Sequence, residues 1–278
     1  MQEYPVLKNK DISVFERDGV VLLKNVINKN WRNILIDSID TDIKEPGRFF
    51  HDYKTKKDIG KFHGSVRIWE NNDGFKQYCL KSPLPYLAAQ LLNSRKINLF
   101  YDQLFVKEPK CINRIRWHND QPYWPLRGWA VISFWAPLDI IRKENGSMEF
   151  IKSSHKWGKW FQPEHFSPGV SEPYEQNSKF EKIPDIESAR NKYDIISFDM
   201  NPGDLLAFHA LVVHGSGGNF SKKHRRRGYA VRYTGDNVFY SKESGSHKDL
   251  RNLELKDGDN LTSSQFRIVW ERGNYVYN

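Results

Sequence analysis

The first clear signal in the chain is a switch of hydrophobic period. Asp11 to Asp18 reads as a short helix capped by Asp11, and Gly19 then leads into Val20-Val21-Leu22-Leu23, four apolar residues that read as a buried strand. Asn30 is placed to cap a second helix to about Asp40, on which Trp31, Ile34, Leu35 and Ile39 recur at helical spacing. Ser82 to Leu92 repeats that spacing through Leu84, Leu87, Ala88 and Leu91. From Ile97 to Lys107 the period becomes two, with Tyr101, Gln103, Phe105 and Lys107 on one face. Trp129 to Leu138 alternates more strongly, setting Ala130, Ile132, Phe134 and Ala136 against Val131, Ser133, Trp135 and Pro137. Glu149–Lys152, Tyr193–Phe198 and Gln265–Trp270 read as further strands. Residues 43–72 are loop-rich and hold Phe49, Phe50, His51, Tyr53, His63 and Trp69, which suggests a lid or pocket wall. Residues 156–192, rich in Trp, Pro, Glu and Lys, read as an insertion over a pocket mouth, and the segment after Arg232 carries no functional signal. Spacing alone predicts many strands and early helices.

No Gly/Ser/Pro linker or repeat divides the 278 residues, so a single domain, 1–278, is expected. The hydrophobic fraction is only 38%, but nine Trp, 13 Tyr and 17 Phe can supply the missing burial. Cys79 and Cys111 are too few for a disulfide framework. With no apolar signal core and no run of 18 apolar residues, the chain is expected to be soluble, without a membrane partner and cytoplasmic. The net charge of +9 raises the question of nucleic acid. Basic residues are spread, however, dense only at Lys54–Lys61 and Lys222–Arg227, and no recognition-helix, zinc-finger or RNP pattern accompanies them. A small-molecule partner is expected instead, an anionic one if the positive charge steers it and is not merely a distributed surface. Oligomeric state leaves no trace in the pattern.

Chemistry concentrates at His118-Asn119-Asp120 and His214-Gly215-Ser216. On a strand over 114–120, His118 and Asp120 point the same way and Asn119 the other. Two imidazoles and a carboxylate can occupy one face of a metal and leave the opposite face open, the arrangement of non-haem iron(II) oxygenases. His209 competes with His214 for the distal position. His214 is preferred because Gly215-Ser216-Gly217 lets the backbone pass close to a bound group. The run Lys222 to Arg227 reads as a nucleic-acid patch, a solvated loop, or the source of one buried arginine. An iron(II) oxygenase using the dicarboxylate 2-oxoglutarate needs such a cation, because a guanidinium grips both oxygens of a carboxylate. Arg225, eleven residues beyond His214, is assigned that role, with Arg227 on the same face as the fallback.

Longer stretches resemble the phytanoyl-CoA dioxygenase family of Fe(II)/2-oxoglutarate oxygenases. They are Tyr101-Asp102-Gln103-Leu104-Phe105-Val106-Lys107-Glu108-Pro109, Trp117-His118-Asn119-Asp120-Gln121-Pro122-Tyr123-Trp124, Asn145-Gly146-Ser147-Met148-Glu149-Phe150, Ser153-Ser154-His155, and His214 to Arg225. Together they span a core of about residues 10–235. The resemblance implies a mainly β fold, a double-stranded β-helix (jelly roll, cupin-like) with flanking helices on one outer face. It implies that His118, Asp120 and His214 bind Fe(II), that Arg225 and Ser216 hold the far carboxylate of 2-oxoglutarate, and that Trp135 and Gln103 line the cosubstrate pocket. O2 would be the other cosubstrate, and the expected reaction is hydroxylation of a small molecule with release of succinate and CO2. Asn119 stands where the family often has Gln, and Ser153-Ser154-His155 replaces a more usual Pro-Gly-Ser-His turn. Asp120 argues against the halogenating relatives, which carry a small residue there. Tyr123, Trp124 and Arg127 either border the substrate or pack. A non-catalytic jelly roll that binds a ligand would show a damaged triad or a missing arginine, and neither is seen. Desaturation or ring closure by the same chemistry stays open, as does the substrate.

Overall fold

Three long strands, buried on both faces along nearly their whole length, set the architecture. This computed structural model describes residues 5, 7–53, 55–165 and 174–276. Its first half runs α1 (Asn9–Asp18), β1 (Val20–Leu23), α2 (Lys29–Lys44), β2 (Phe50–Asp52), β3 (Phe62–Val66), α3 (Asp73–Lys81), α4 (Leu84–Leu91), β4 (Lys96–Lys107) and β5 (Ile115–His118). There follow β6 (Leu126–Arg127), β7 (Val131–Pro137), β8 (Met148–Ile151), β9 (Ile195–Ser197), β10 (Leu205–His209), β11 (His214–Ser216), β12 (Arg226–Thr234), β13 (Phe239–Tyr240), β14 (Ile268–Glu271) and β15 (Asn274–Tyr275). The larger antiparallel sheet has the order β1-β10-β7-β12-β4-β14-β15, with β3 also on β4 and β2 on β3. A smaller sheet, β5-β11-β8-β9, faces it, and β6 with β13 forms a ribbon. The fold is a jelly roll with helices on one side.

The two faces of the larger sheet bury different residues. Leu104, Val106, Phe134, Ala136, Tyr229, Val231 and Tyr233 pack outward under Leu35, Ile39, Phe75, Tyr78, Leu87 and Ala88 of the helices. Each Leu, Val, Ile or Phe among them contributes about 1.5–3 kcal/mol on leaving water. Trp135, Phe208 and Ala230 point inward and meet Phe150 and Met148 of the smaller sheet. On β12 the inward set is therefore Arg226, Gly228, Ala230 and Arg232. Gly228 is there for space: an added Cβ would lie 2.0 Å from Cζ2 of Trp135, itself only 2% exposed. Gly228→Ala is expected to cost about 1–3 kcal/mol through overpacking, read as a lower urea midpoint. An unchanged midpoint would show that the indole can give way.

Several local expectations are corrected. Asn28, not Asn30, caps α2, its carboxamide oxygen accepting from the Trp31 N–H at 3.0 Å. Asp11 lies in the first turn of α1, not at its cap, and accepts from the Lys8 N–H at 3.1 Å. Residues 43–72 are loop-rich, as expected, and also hold the short strands β2 and β3. Helix α3 was not foreseen; Asn72 caps it, accepting from Gly74 and Phe75 N–H. β10 ends at His209 and β11 begins at His214, so the two histidines sit in different sheets, with Ala210 in the break.

Candidate metal centre and its two chambers

Two strand histidines and a carboxylate from the turn after β5 meet at the mouth between the sheets. β5 and β11 pair with His118 directly opposite His214, and the two ring centroids are 4.3 Å apart. Asp120 lies beyond the end of β5, in a helical turn (φ −71°, ψ −42°) whose N–H donates to Ala210 O at 2.9 Å. That turn, not strand alternation alone, brings its carboxylate to the rings. Donor atoms of His118, Asp120 and His214 all lie within 4.8 Å of one another, and all three residues are buried. His118 Nδ1 lies 2.8 Å from Arg116 O and His214 Nδ1 3.0 Å from Val212 O. A ring nitrogen facing a carbonyl carries the proton, so each Nε2 keeps its lone pair for a metal. Asp120 Oδ1 faces both, at 3.3 Å from His118 Nε2 and 3.7 Å from His214 Nε2, while Ser133 Oγ donates to Oδ2 at 3.2 Å. Burial opposes ionisation of Asp120, but His214, His118 and Arg232 together hold its carboxyl well below the usual carboxylate range. Burial and the neighbouring His118 push His214 down to about 4, so it is neutral at physiological pH, as a ligand must be. The donor set fits a divalent first-row metal with an open face.

Asn119 points away and holds the insertion, donating to Lys159 O at 3.0 Å and accepting from Phe161 N–H at 3.3 Å. Ser154 Oγ accepts from the N–H of Val213, the residue before His214, at 2.8 Å, so the unusual Ser153-Ser154-His155 turn braces the ligand strand. His209 is a packed histidine. Its Nε2 lies 2.8 Å from Trp129 O, its Nδ1 accepts from Leu211 N–H, and burial drives it down to about 3.

Behind the triad lies a narrow inner chamber whose walls include His118, Asp120, His214, Trp135, Ser216 and Arg226. Here the arginine assignment is corrected. Arg225 lies outside, paired with Glu108 at 2.6 Å and Asp40 at 3.9 Å, and Arg227 pairs with Asp139 at 2.8 Å. Both share the outward phase of Tyr229, Val231 and Tyr233. Arg226, between them, is 1% exposed, stacks 4.7 Å from the Trp135 ring and donates to Gly146 O at 3.0 Å. Its Nε has no partner, and burial lowers the group to about 10, still charged. Gly146 adopts φ +89°, which turns that carbonyl toward Arg226. Lys107 was also missed as a site residue. It is fully buried, and its Nζ donates to Asn113 O at 2.8 Å, Gly217 O at 2.7 Å and Ser216 Oγ at 3.3 Å.

In front of the triad opens a cavity of about 240 Å³, whose walls include Tyr53, Tyr101, Gln103, Tyr123, Trp124 and Asp120. Gln103 therefore faces this outer cavity, donating to Tyr53 Oη at 3.5 Å, and not the chamber of Arg226. Tyr123 and Trp124 border it as well, while Arg127 stacks 4.1 Å from Trp160 and pairs with Glu243. The 43–72 segment supplies His51, Tyr53 and Val66 to the wall. Part of the 156–192 insertion reaches the cavity through Glu164, His165 and Tyr174, and part packs Phe161 and Ile186 against the smaller sheet; its residues 166–173 lie outside the described residues. The tail, read as silent, contributes His247 and Leu250. His51, His247 and Asp249 form a second group with donor atoms within 4.8 Å, half-exposed and with the Asp249 N–H already engaging His247 Nδ1.

Comparison with known proteins bears on the family and the fold. A jelly roll carrying a buried two-histidine, one-carboxylate centre beneath an open cavity defines the class of Fe(II)/2-oxoglutarate oxygenases. The family model "Phytanoyl-CoA dioxygenase (PhyH)" matches residues 15–228, and the chain belongs to that family. A peroxisomal phytanoyl-CoA dioxygenase of Bos taurus is 23% identical over 273 residues, covering 92% of this chain and 77% of that one. Among solved structures, the non-haem α-ketoglutarate-dependent carbocyclase SnoK from nogalamycin biosynthesis aligns with TM-score 0.76 at 17% identity, over 94% of this chain and 96% of that one. The epimerase SnoN in complex with Fe3+, α-ketoglutarate and a nogalamycin compound aligns with TM-score 0.73 at 18% identity, over 93% and 97%. At those identities the structural likeness bears on the fold.

Proposed function

We propose that this chain is an Fe(II)- and 2-oxoglutarate-dependent dioxygenase that hydroxylates a small molecule held in the outer cavity, releasing succinate and CO2. The observation that carries the reading is the meeting of His118, Asp120 and His214 where the two chambers join, Asp120 lining both. Ferrous iron and 2-oxoglutarate supply the activation of O2 and the two electrons that accompany transfer of one oxygen atom to a C–H bond, the other oxygen entering succinate. His118 and His214 offer their Nε2 atoms, and Asp120 offers Oδ1 while Ser133 fixes its other oxygen. Arg226, in place of Arg225, holds the far carboxylate with Ser216. Lys107 donates into Ser216 Oγ, which leaves the hydroxyl proton of Ser216 to turn toward that carboxylate. Trp135 walls the chamber and keeps water from it.

The substrate is proposed to be neutral and rich in ring or apolar surface. Among the described residues, no Lys or Arg lines the outer cavity, whose walls are mostly Tyr, His and Trp. That argues against an anionic substrate and for stacking and hydrogen bonds to phenols. Ring closure, the activity named for SnoK, is the alternative outcome of the same hydrogen abstraction. The test is succinate formation from 2-oxoglutarate with added Fe(II), with and without a panel of small metabolites. A substrate-stimulated signal is expected, with a product heavier by one oxygen; a product lighter by two hydrogens would mean cyclisation or desaturation. Failure to bind ferrous iron under anaerobic conditions would overturn the reading. No helix among the described residues is long and apolar enough to cross a membrane. Cytoplasm is the proposed compartment, and microscopy of a tagged chain would distinguish it from the peroxisome of the bovine relative.

A further inference from the structure

Arg232 has no use in the scheme so far, although burying it is costly. It is 4% exposed, and its Nε and Nη1 are buried without a hydrogen-bond partner. Tyr101 lies under its guanidinium at 4.5 Å and Trp124 at 6.0 Å, which fixes its plane but offers no acceptor. Asp120 feels its charge, yet Oδ2 of Asp120 accepts from Ser133 and Oδ1 faces the Nε2 atoms of the two histidines. A buried guanidinium needs a partner in the working protein.

Position indicates what that partner is. Arg232 lies on the inward face of β12, six residues beyond Arg226, and both line the inner chamber. A strand rise of roughly 3.3 Å per residue separates their Cα atoms by about 20 Å, and both side chains border the chamber between them. Arg226 and Ser216 occupy one end, and Arg232 lies near Asp120 at the other. Among the described residues lining this chamber, two guanidiniums stand against one carboxylate. The chamber is therefore matched to a linear dianion, with one cation for each end.

We propose that Arg232 is a second carboxylate anchor, holding the near carboxylate of 2-oxoglutarate beside the metal centre while Arg226 holds the far one. This rests on the oxygenase reading and extends it to the second end of the cosubstrate. Arg232 orients that carboxylate as the keto acid meets the metal, and Tyr101 keeps the guanidinium in place.

The test is calorimetric titration of anaerobic, Fe(II)-loaded protein with two keto acids, 2-oxoglutarate and 2-oxopentanoate, which share the near carboxylate and differ at the far end. In Arg232→Met the affinity for both is expected to fall by the same factor, roughly tenfold to a hundredfold. In the companion Arg226→Met only 2-oxoglutarate is expected to weaken. Arg232→Gln, which keeps a donor but loses the charge, repeats the measurement should the methionine variant fold poorly, and is expected to weaken both acids several-fold. Wild-type affinity for 2-oxopentanoate in the Arg232 variants would overturn the proposal. So would variants that bind both acids normally but need more substrate for succinate formation, which would assign Arg232 to the substrate. A wild-type protein that binds neither acid would instead overturn the oxygenase reading and take this one with it.

Discussion

Asp120→Ala is expected to lose ferrous iron and substrate-coupled succinate formation together. The buried centre has one anionic donor, and its removal leaves two imidazoles without a carboxylate beside them. Loss of groups that merely orient a metal ligand typically costs 10–100-fold in affinity. Loss of the carboxylate itself is expected to cost at least about a hundredfold, with turnover reduced on the order of a thousandfold. The alanine also strips Arg232 of its nearest negative field, so any iron still captured would sit in a more positive pocket. Asn119→Ala is the control. That neighbour bonds Lys159 O and Phe161 N–H on the far side, so it should leave iron stoichiometry unchanged while loosening the insertion. Anaerobic equilibrium dialysis with iron quantification checks the first effect, and a coupled succinate assay the second. An Asp120→Ala protein that keeps one iron at wild-type affinity would remove Asp120 from the centre.

The parts of this molecule that were legible in sequence are those governed by period. Leu84, Leu87, Ala88 and Leu91 announced α4, and the alternations at 97–107 and 129–138 gave β4 and β7 nearly to the residue. His214 could be separated from His209 because Gly215-Ser216 follows it, and the folded chain places His214 beside His118 and Asp120. Arg225 is the expected anchor by its distance from His214, a measure blind to which face of β12 a residue occupies. The phase of β12 was available: Tyr229, Val231 and Tyr233 are bulky and alternate, which assigns them to the helix-covered face, and small Gly228 and Ala230 mark the inward face together with Arg226 and Arg232. Counting back from those aromatics selects Arg226. Lys107 carried a similar clue, standing on the same face as Gln103 and Phe105 of β4 at a depth where a lysine must find partners.

Other parts leave no periodic trace. Beyond their short strands, segments 43–72 and 236–276 are tied by side-chain to backbone bonds, such as Arg67 Nη1 donating to Asp249 O at 2.7 Å and Tyr240 Oη donating to Asn252 O at 3.0 Å. Contacts of that kind depend on residues far apart in sequence, so His51, His247 and Leu250 could be placed at the cavity only through the folded chain. The two ends of the jelly roll are where such segments gather, and they enclose the space in front of the metal centre. The same physics makes the fold readable and its specificity unreadable.

Arg226→Met should raise the 2-oxoglutarate requirement by about a hundredfold without weakening the fold. Hydrogen bonds from an ionised donor to a carboxylate contribute about 1.5–3 kcal/mol each, and a guanidinium can make two in parallel. Losing one such pair accounts for roughly two decades in the Michaelis constant. In the cosubstrate-free protein the same guanidinium is buried, its Nε lacks a partner, and burial already lowers it to about 10. Replacement of a buried charge by an apolar side chain of similar volume is often neutral or stabilising. The thermal midpoint without 2-oxoglutarate is therefore expected to stay level or rise, even as the protection conferred by 2-oxoglutarate disappears. Arg225→Ala and Arg227→Ala provide the contrast. They remove outward-facing, partly buried pairs to Glu108 and Asp139 that do not line the inner chamber, and should alter the 2-oxoglutarate requirement by less than about twofold. Measuring the 2-oxoglutarate dependence of succinate formation and the melting midpoints of all three variants decides the matter. A large effect at Arg225 with none at Arg226 would return the anchoring role to the outer face and contradict the inward phase of β12.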